Sequence, residues 1–188
     1  MVETVLGPGP ADLESGLRDR YLAGFRWMLL ARMLDDKLAS LYRGGKVFGG
    51  VFLGRGQEAL SASVGMSLRS GDVFAPLIRD AAGRLAFGEP ILDAVRTYLG
   101  SPQGPMRGRD GNVHRGRPKE GLLAMISHLG AMISVVNGVL FAKRMKGVAG
   151  AAGVAALAKV AVARSSARTR DRTDPTDPLK NLLPAHPQ

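Results

Sequence analysis

The chain has no cysteine, a single tryptophan and only 5% aromatic residues among its 188 positions. Without cysteine there are neither disulfides nor thiolate metal sites, and a reducing compartment is compatible with the sequence. Scarce aromatics mean that any core is built from aliphatic side chains. A long apolar run behind a basic start is also missing from "MVETVLGPGPADLESG", so neither secretion nor membrane insertion is expected, and the chain reads as soluble and cytoplasmic. Acidic residues are outnumbered, 16 against 26 lysines and arginines, giving a formal charge of +10. That balance keeps an anionic partner such as nucleic acid in play. The basic residues are dispersed, however, and no aromatic stacking platform accompanies them, which disfavours a nucleic-acid binder.

What is present is one domain's length of patterned sequence, enough for a real core or for part of a larger one. Leu17, Tyr21, Met28, Leu34, Leu38 and Leu41 recur at helical spacing from Asp12 to Arg43, and Gly44 and Gly45 supply a stop, which predicts one long amphipathic helix. A shorter helix is expected over Gln57–Leu68 and a short buried strand or extended turn in "DVFAPL". "PILDAVRTYLG" reads as a helix with Pro90 in its first turn, and the apolar segment from Gly130 to Lys146, stopped by Gly147, as a buried helix. The expected organisation is a flexible N-terminus over 1–10, the main domain over 11–147, an atypical alanine-rich strand or helix over 148–164 and a disordered tail over 165–188.

Several motifs invite chemistry. "GRGQEA", from Gly54 to Ala59, fits a dinucleotide fingerprint, but the four glycines of "YRGGKVFGGVFL" replace the apolar strand that such a site needs upstream. A tight turn into a helix, with Gln57 or Glu58 bonding locally, explains it more simply. The loop "GRDGNVHRGRPKEG" sets three arginines and a lysine around His114. This histidine has no cysteine neighbours and no second histidine stands at ligand spacing, so a structural zinc site is not expected. His114 and His128 are the histidines of the patterned region and the candidate catalytic groups, although a lone histidine is ordinarily a surface or hydrogen-bonded residue. Arg79 follows the expected strand, where an open α/β sheet holds anions, and an ion pair with neighbouring Asp80 is the simpler alternative.

Taken in order, "RMLDDKLASLYRGGKVFGG", "GRGQEALSASVGMSLRSGDVF", "IRDAAGRLAFG", "GRDGNVH" and "SHLGAMISVVNGVLFAKRMKG" resemble the alpha subunit of the thiamine diphosphate-dependent 2-oxo acid dehydrogenases, from about Tyr21 to Gly147. The resemblance implies an α/β chain, part of a three-layer thiamine diphosphate-binding fold with a mostly parallel sheet, mainly helical in the portion present. It assigns the cofactor's diphosphate to Arg79, preceded by Ile78 where the family has tyrosine, and its aminopyrimidine to backbone at Leu129 and Gly130. Phe52 stands where many members carry a substrate-facing histidine. The loop around His114 matches a regulatory loop that orders at the active-site mouth, a lid over diphosphate and carboxylate. The implied activity is decarboxylation of a 2-oxo acid with acyl transfer to a lipoyl group, and the implied partners are a beta subunit and a lipoyl-bearing acyltransferase.

The pattern breaks after Gly147. The family binds Mg²⁺ through a G-D-G step one strand further on, whereas "VAGAAGVAALAKVAVARSS" offers no acidic oxygen ligand, so no metal residue is assigned. Codons ending in G over Leu157–Ala161 would read Gly-Glu-Gly-Gly in another frame, which points to a frameshift near residues 148–157 as the origin of the tail. Two other readings remain for the chain: a non-catalytic module for subunit pairing through its long helix, and a basic nucleic-acid binder.

Overall fold

The computed structural model describes residues 10–109, 114–126, 128–156 and 159–165. The expected flexible start and disordered tail lie almost wholly outside these residues. Five helices are present: α1 (Pro10–Arg43), α2 (Glu58–Ser67), α3 (Ala81–Phe87), α4 (Ile91–Tyr98) and α5 (Ala131–Met145). They accompany three strands, β1 (Val73–Ala75), β2 (Gly150–Ala156) and β3 (Lys159–Ser165).

The sheet runs in the order β1-β2-β3. β1 pairs in parallel with β2, Phe74 opposite Gly153, and β2 pairs antiparallel with β3, Gly153 opposite Val162. The described sheet is therefore mixed rather than mostly parallel, because β3 pairs antiparallel with β2, Lys159 opposite Ala156. Of the alanine-rich segment after Gly147, the described Gly150–Ala156 and Lys159–Ser165 are strand.

Alternation along the strands separates two cores, as the two-residue period of a pleat requires. On one face Val73, Ala75, Ala152 and Val154 pack against Met132, Val136 and Leu140 of α5. On the other, Phe74 and Ala151 meet Val64 of α2 and Leu68 just past its end. A helix–sheet–helix sandwich results, and α1, α3 and α4 close around a third core that includes Leu34, Leu38, Leu85 and Tyr98. Close approach of α2 to α3 depends on two glycines: a Cβ on Gly65 or on Gly83 would overlap the facing backbone. Ser61 Oγ accepts the Gly83 N–H there at 2.8 Å.

Three expectations need correction. α3 was not foreseen; its seven residues include a buried arginine, Arg84. Pro90 caps α4 in an extended conformation (ψ 131°) just outside the first turn. α5 is not buried on all sides: Met132, Val136 and Leu140 form one buried stripe at four-residue spacing, while Ile133, Phe141 and Met145 are exposed. No described helix is long and apolar enough to cross a membrane.

Candidate functional site

The turn after β1 builds the site. Pro76 ends the ladder, and Asp80 folds back so that its carboxylate accepts the Leu77 N–H at 2.7 Å. Asp80 is 3% exposed, so the surface ion pair with Arg79 does not form. Turning Asp80 inward turns Arg79 outward. Its guanidinium carbon lies 5.9 Å from the centre of the Phe52 ring, within cation–π range.

Arg79 opens onto a cleft of about 230 Å³ lined by Gln57, Leu77, Ile78, Arg79, Asp80, Ile126 and Leu129. Arg79 and Leu129, chosen from the sequence, thus come from segments fifty residues apart into one cavity. Gly130, beside Leu129, starts α5 with φ +80°. Sequence reasoning missed Ile126, whose segment carries no motif, took Leu77 only as the end of the expected strand, and read Gln57 only as a turn residue. That turn is real: Gln57 N–H donates to the Gly54 carbonyl, and Glu58 accepts the Gly56 N–H at 2.8 Å. No strand precedes it, which removes the dinucleotide reading.

Electrostatics divide the cleft into a cationic mouth and a buried carboxyl. Burial pushes Asp80 up to about 6, against the lowering effect of its bonds from Leu77 and Ser61. Burial likewise raises Asp35, partly offset by the Gly54 N–H that its carboxylate accepts at 2.7 Å.

The two candidate catalytic histidines are exposed, and neither lines the cleft. His128 sits in the turn before α5, its carbonyl accepting the Ala131 N–H. His114 follows residues 110–113, which lie outside the described part of the loop. Beyond it the loop's arginines do structural work rather than facing an anion. Arg115 is 4% exposed and donates to both oxygens of Glu89 at 2.8 and 2.9 Å. Arg84 grips the same carboxylate at 2.9 and 2.7 Å, and Arg117 bonds Asp93 and Glu120. Two of the three arginines expected in a lid are therefore committed to carboxylates.

A thiamine diphosphate meets a partial fit. An exposed cation beside the apolar side chains of Leu77, Ile126 and Leu129 suits a diphosphate joined to aromatic rings. The metal that would accompany it does not fit: no group of three or more candidate ligands occurs among the described residues, and the sequence has no acid between Glu120 and Asp171.

Residues 25–157 match the family described as dehydrogenase E1 component. Among known proteins, the chain is 30% identical over 139 residues to the chloroplastic pyruvate dehydrogenase E1 component subunit alpha-3 of Oryza sativa subsp. japonica, covering 74% of this chain and 33% of the relative. It is 32% identical over 124 residues to the pyruvate dehydrogenase E1 component subunit alpha of Porphyra purpurea, with 66% and 36% covered. The corresponding subunit of Rhizobium meliloti is 27% identical over 150 residues, with 77% and 43% covered. The chain thus spans about a third to two fifths of the length of these relatives.

Proposed function

The chain belongs to the dehydrogenase E1 component family, and from that premise we propose that it supplies the diphosphate-facing part of an alpha subunit in a thiamine diphosphate-dependent 2-oxo acid dehydrogenase. The observation that carries this reading is the single cleft joining Arg79 to Leu129. Arg79 would neutralise the diphosphate, and the backbone at Leu129 and Gly130 would contact the aminopyrimidine. Leu77, Ile78 and Ile126 would keep water from the rings. The bound group supplies the electron sink for decarboxylation of the 2-oxo acid. Phe52 lies within cation–π range of the Arg79 guanidinium, at the mouth of the cleft.

No step is assigned to Mg²⁺, since its ligands are lacking among the described residues. Neither His114 nor His128 receives a proton-transfer role, because neither lines the cleft. A beta subunit, a lipoyl-bearing acyltransferase and a cytoplasmic setting complete the proposal as the family's usual context.

Isothermal titration with thiamine diphosphate, with and without Mg²⁺, tests it. The expected result is weak binding that Mg²⁺ does not strengthen and that Arg79→Ala removes. Binding unchanged in Arg79→Ala, or absent from the unsubstituted chain, would sink the reading.

One observation favours a second reading, a non-catalytic pairing module: α1 and α5 both carry apolar faces that are exposed among the described residues. The nucleic-acid alternative loses ground, since Arg32, Arg55, Arg84, Arg115 and Arg117 are all paired with carboxylates.

A further inference from the structure

Asp80 puts a carboxyl on the wall of the cleft that Arg79 opens onto. A negative group facing a negative ligand weakens binding, and a buried one does so more than an exposed one, because little water screens it. Asp80 is 3% exposed. Its place follows from the backbone. The carboxylate accepts the Leu77 N–H at 2.7 Å, and the Asp80 N–H donates to the Leu77 carbonyl at 3.2 Å, so the turn that presents Arg79 closes on the carboxyl itself. Ser61 on α2 donates to the same carboxylate and accepts the Gly83 N–H at 2.8 Å. These bonds hold the group in place from two elements.

The charges of the cleft do not balance those of a diphosphate. Among its described lining residues Arg79 is the one cation and Asp80 the one anion, which leaves no net charge. A diphosphate carries several negative charges, and no group of candidate metal ligands stands among the described residues to offset them. A proton on Asp80 removes the one repulsive charge. A neutral carboxyl still has an oxygen to accept the Leu77 N–H, so the turn survives the change. No other group facing Asp80 offers the same relief. α2 contributes the uncharged Ser61 and Gln57, and the other wall contributes Ile126 and Leu129. Arg84 of α3 acts on Asp80 as a fixed positive charge, the least of the influences on it. Neither α1 nor a histidine lines the cleft.

We propose that Asp80 takes up a proton as the cleft takes up a diphosphate, so that anion and proton bind together. This rests on the reading of the cleft as a diphosphate site and adds to it a second residue and a dependence on pH. Burial already brings Asp80 to about 6 in the free chain, and an anion alongside raises it further. The complex then binds more protons than the free chain at neutral pH. Asp80's share of the affinity is level below about pH 6, where the carboxyl is already neutral, and falls as pH rises, roughly tenfold in all for each unit by which the anion raises Asp80.

Calorimetric titration of the full chain and of Asp80→Asn with thiamine diphosphate, without Mg²⁺, tests the proposal. Heats measured at pH 7 in Pipes and in Tris, buffers of unlike ionisation enthalpy, count the protons taken up. Protons gained by the ligand itself enter both titrations alike, so the difference between the two proteins belongs to Asp80. The parent should take up roughly half a proton more than Asp80→Asn. Asp80→Asn should bind about tenfold tighter than the parent near pH 8 and equally well near pH 5. In the parent alone, the titration midpoint of the Asp80 carboxyl ¹³C resonance should rise by about one unit when the ligand is added. Equal proton uptake in the two proteins, an unmoved midpoint, or weaker binding by Asp80→Asn at every pH would overturn the proposal and leave the cleft reading standing. Binding by neither protein would remove both.

Discussion

The backbone of Gly54 passes so close to the carbonyl oxygen of Arg79 that a Cβ on Gly54 would overlap it. The turn that opens α2 thus sets the position of Arg79, the residue proposed to meet the diphosphate, although 25 residues separate them. Asp35 on α1 fixes the other side of the contact by accepting the Gly54 N–H at 2.7 Å. One glycine therefore ties α1, the α2 turn and the Arg79 turn together.

Gly54→Ala should displace Arg79 by forcing these two backbones apart. A cost of about 1–3 kcal/mol is expected, the usual penalty for overpacking. The measurements are urea unfolding and titration with thiamine diphosphate. An alanine variant with unaltered stability and unaltered affinity would show that the approach does not position Arg79. Gly56→Ala, where no neighbour lies within 4 Å but φ is +86°, is the control for backbone strain alone.

Glu89 is shared by two buried guanidiniums, so removing its charge should be among the costlier substitutions in the chain. Glu89→Gln leaves Arg84 and Arg115 buried, at 2% and 4% exposure, without a counter-charge. A loss of about 3–5 kcal/mol is expected. Burial holds Arg84 below its usual value, so burying this cation opposes the gain made by Glu89. The cluster as a whole is therefore worth much less than its breakage costs. Replacing all three partners, by Arg84→Met, Glu89→Leu and Arg115→Met together, should destabilise less than Glu89→Gln alone. A triple variant less stable than the single one would contradict this.

α5 offers a contrast between its two faces. Leu140 is 9% exposed and packs on the sheet, so Leu140→Ala should cost about 2–5 kcal/mol. Its neighbour Phe141 is 65% exposed, and Phe141→Ser should stay within about 0.5 kcal/mol of the parent while raising solubility. Thermal unfolding of both variants decides the matter. Equal losses would mean that the outer face of α5 is covered.

Local patterns were legible and distant pairings were not. The spacing of Leu34, Leu38 and Leu41 announced α1, and Gly45, Gly130 and Gly147 stand with positive φ where helix stops and starts were expected. α3 escaped because seven residues carry too short a period to detect and Arg84 looks like a solvent-facing residue. Its partner Arg115 lies 31 residues away, and composition cannot tell a buried ion cluster from a phosphate-binding loop. Arg79 and Leu129 were found through family resemblance, whereas Ile126 enters the cleft only because the chain after Leu122 pairs beside β1.

Asp80 and Glu89 give the protein opposed responses to pH. Asp80 titrates at about 6 when folded, against an ordinary 3.8, so the folded chain holds a proton that the unfolded chain releases over that interval. Its contribution favours folding in acid and is lost as pH rises from about 4 to 6, amounting to about 3 kcal/mol. Asp35 is raised by burial and acts in the same sense. Glu89 is also penalised by burial, but the bonds and charges of Arg84 and Arg115 outweigh this and hold it at about 2, against an ordinary 4.5. Its contribution is complete above about pH 4.5 and fades as pH falls toward 2, again by about 3 kcal/mol. Stability should therefore peak near pH 4, and the fall on the neutral side belongs chiefly to Asp80. Asp80→Asn keeps an oxygen to accept the Leu77 N–H and carries no charge to desolvate. It should be more stable than the parent at pH 7 and flatten most of the decline between pH 4 and 7 in urea unfolding. An unchanged slope in Asp80→Asn would remove Asp80 as its source and leave Asp35 as the titrating group.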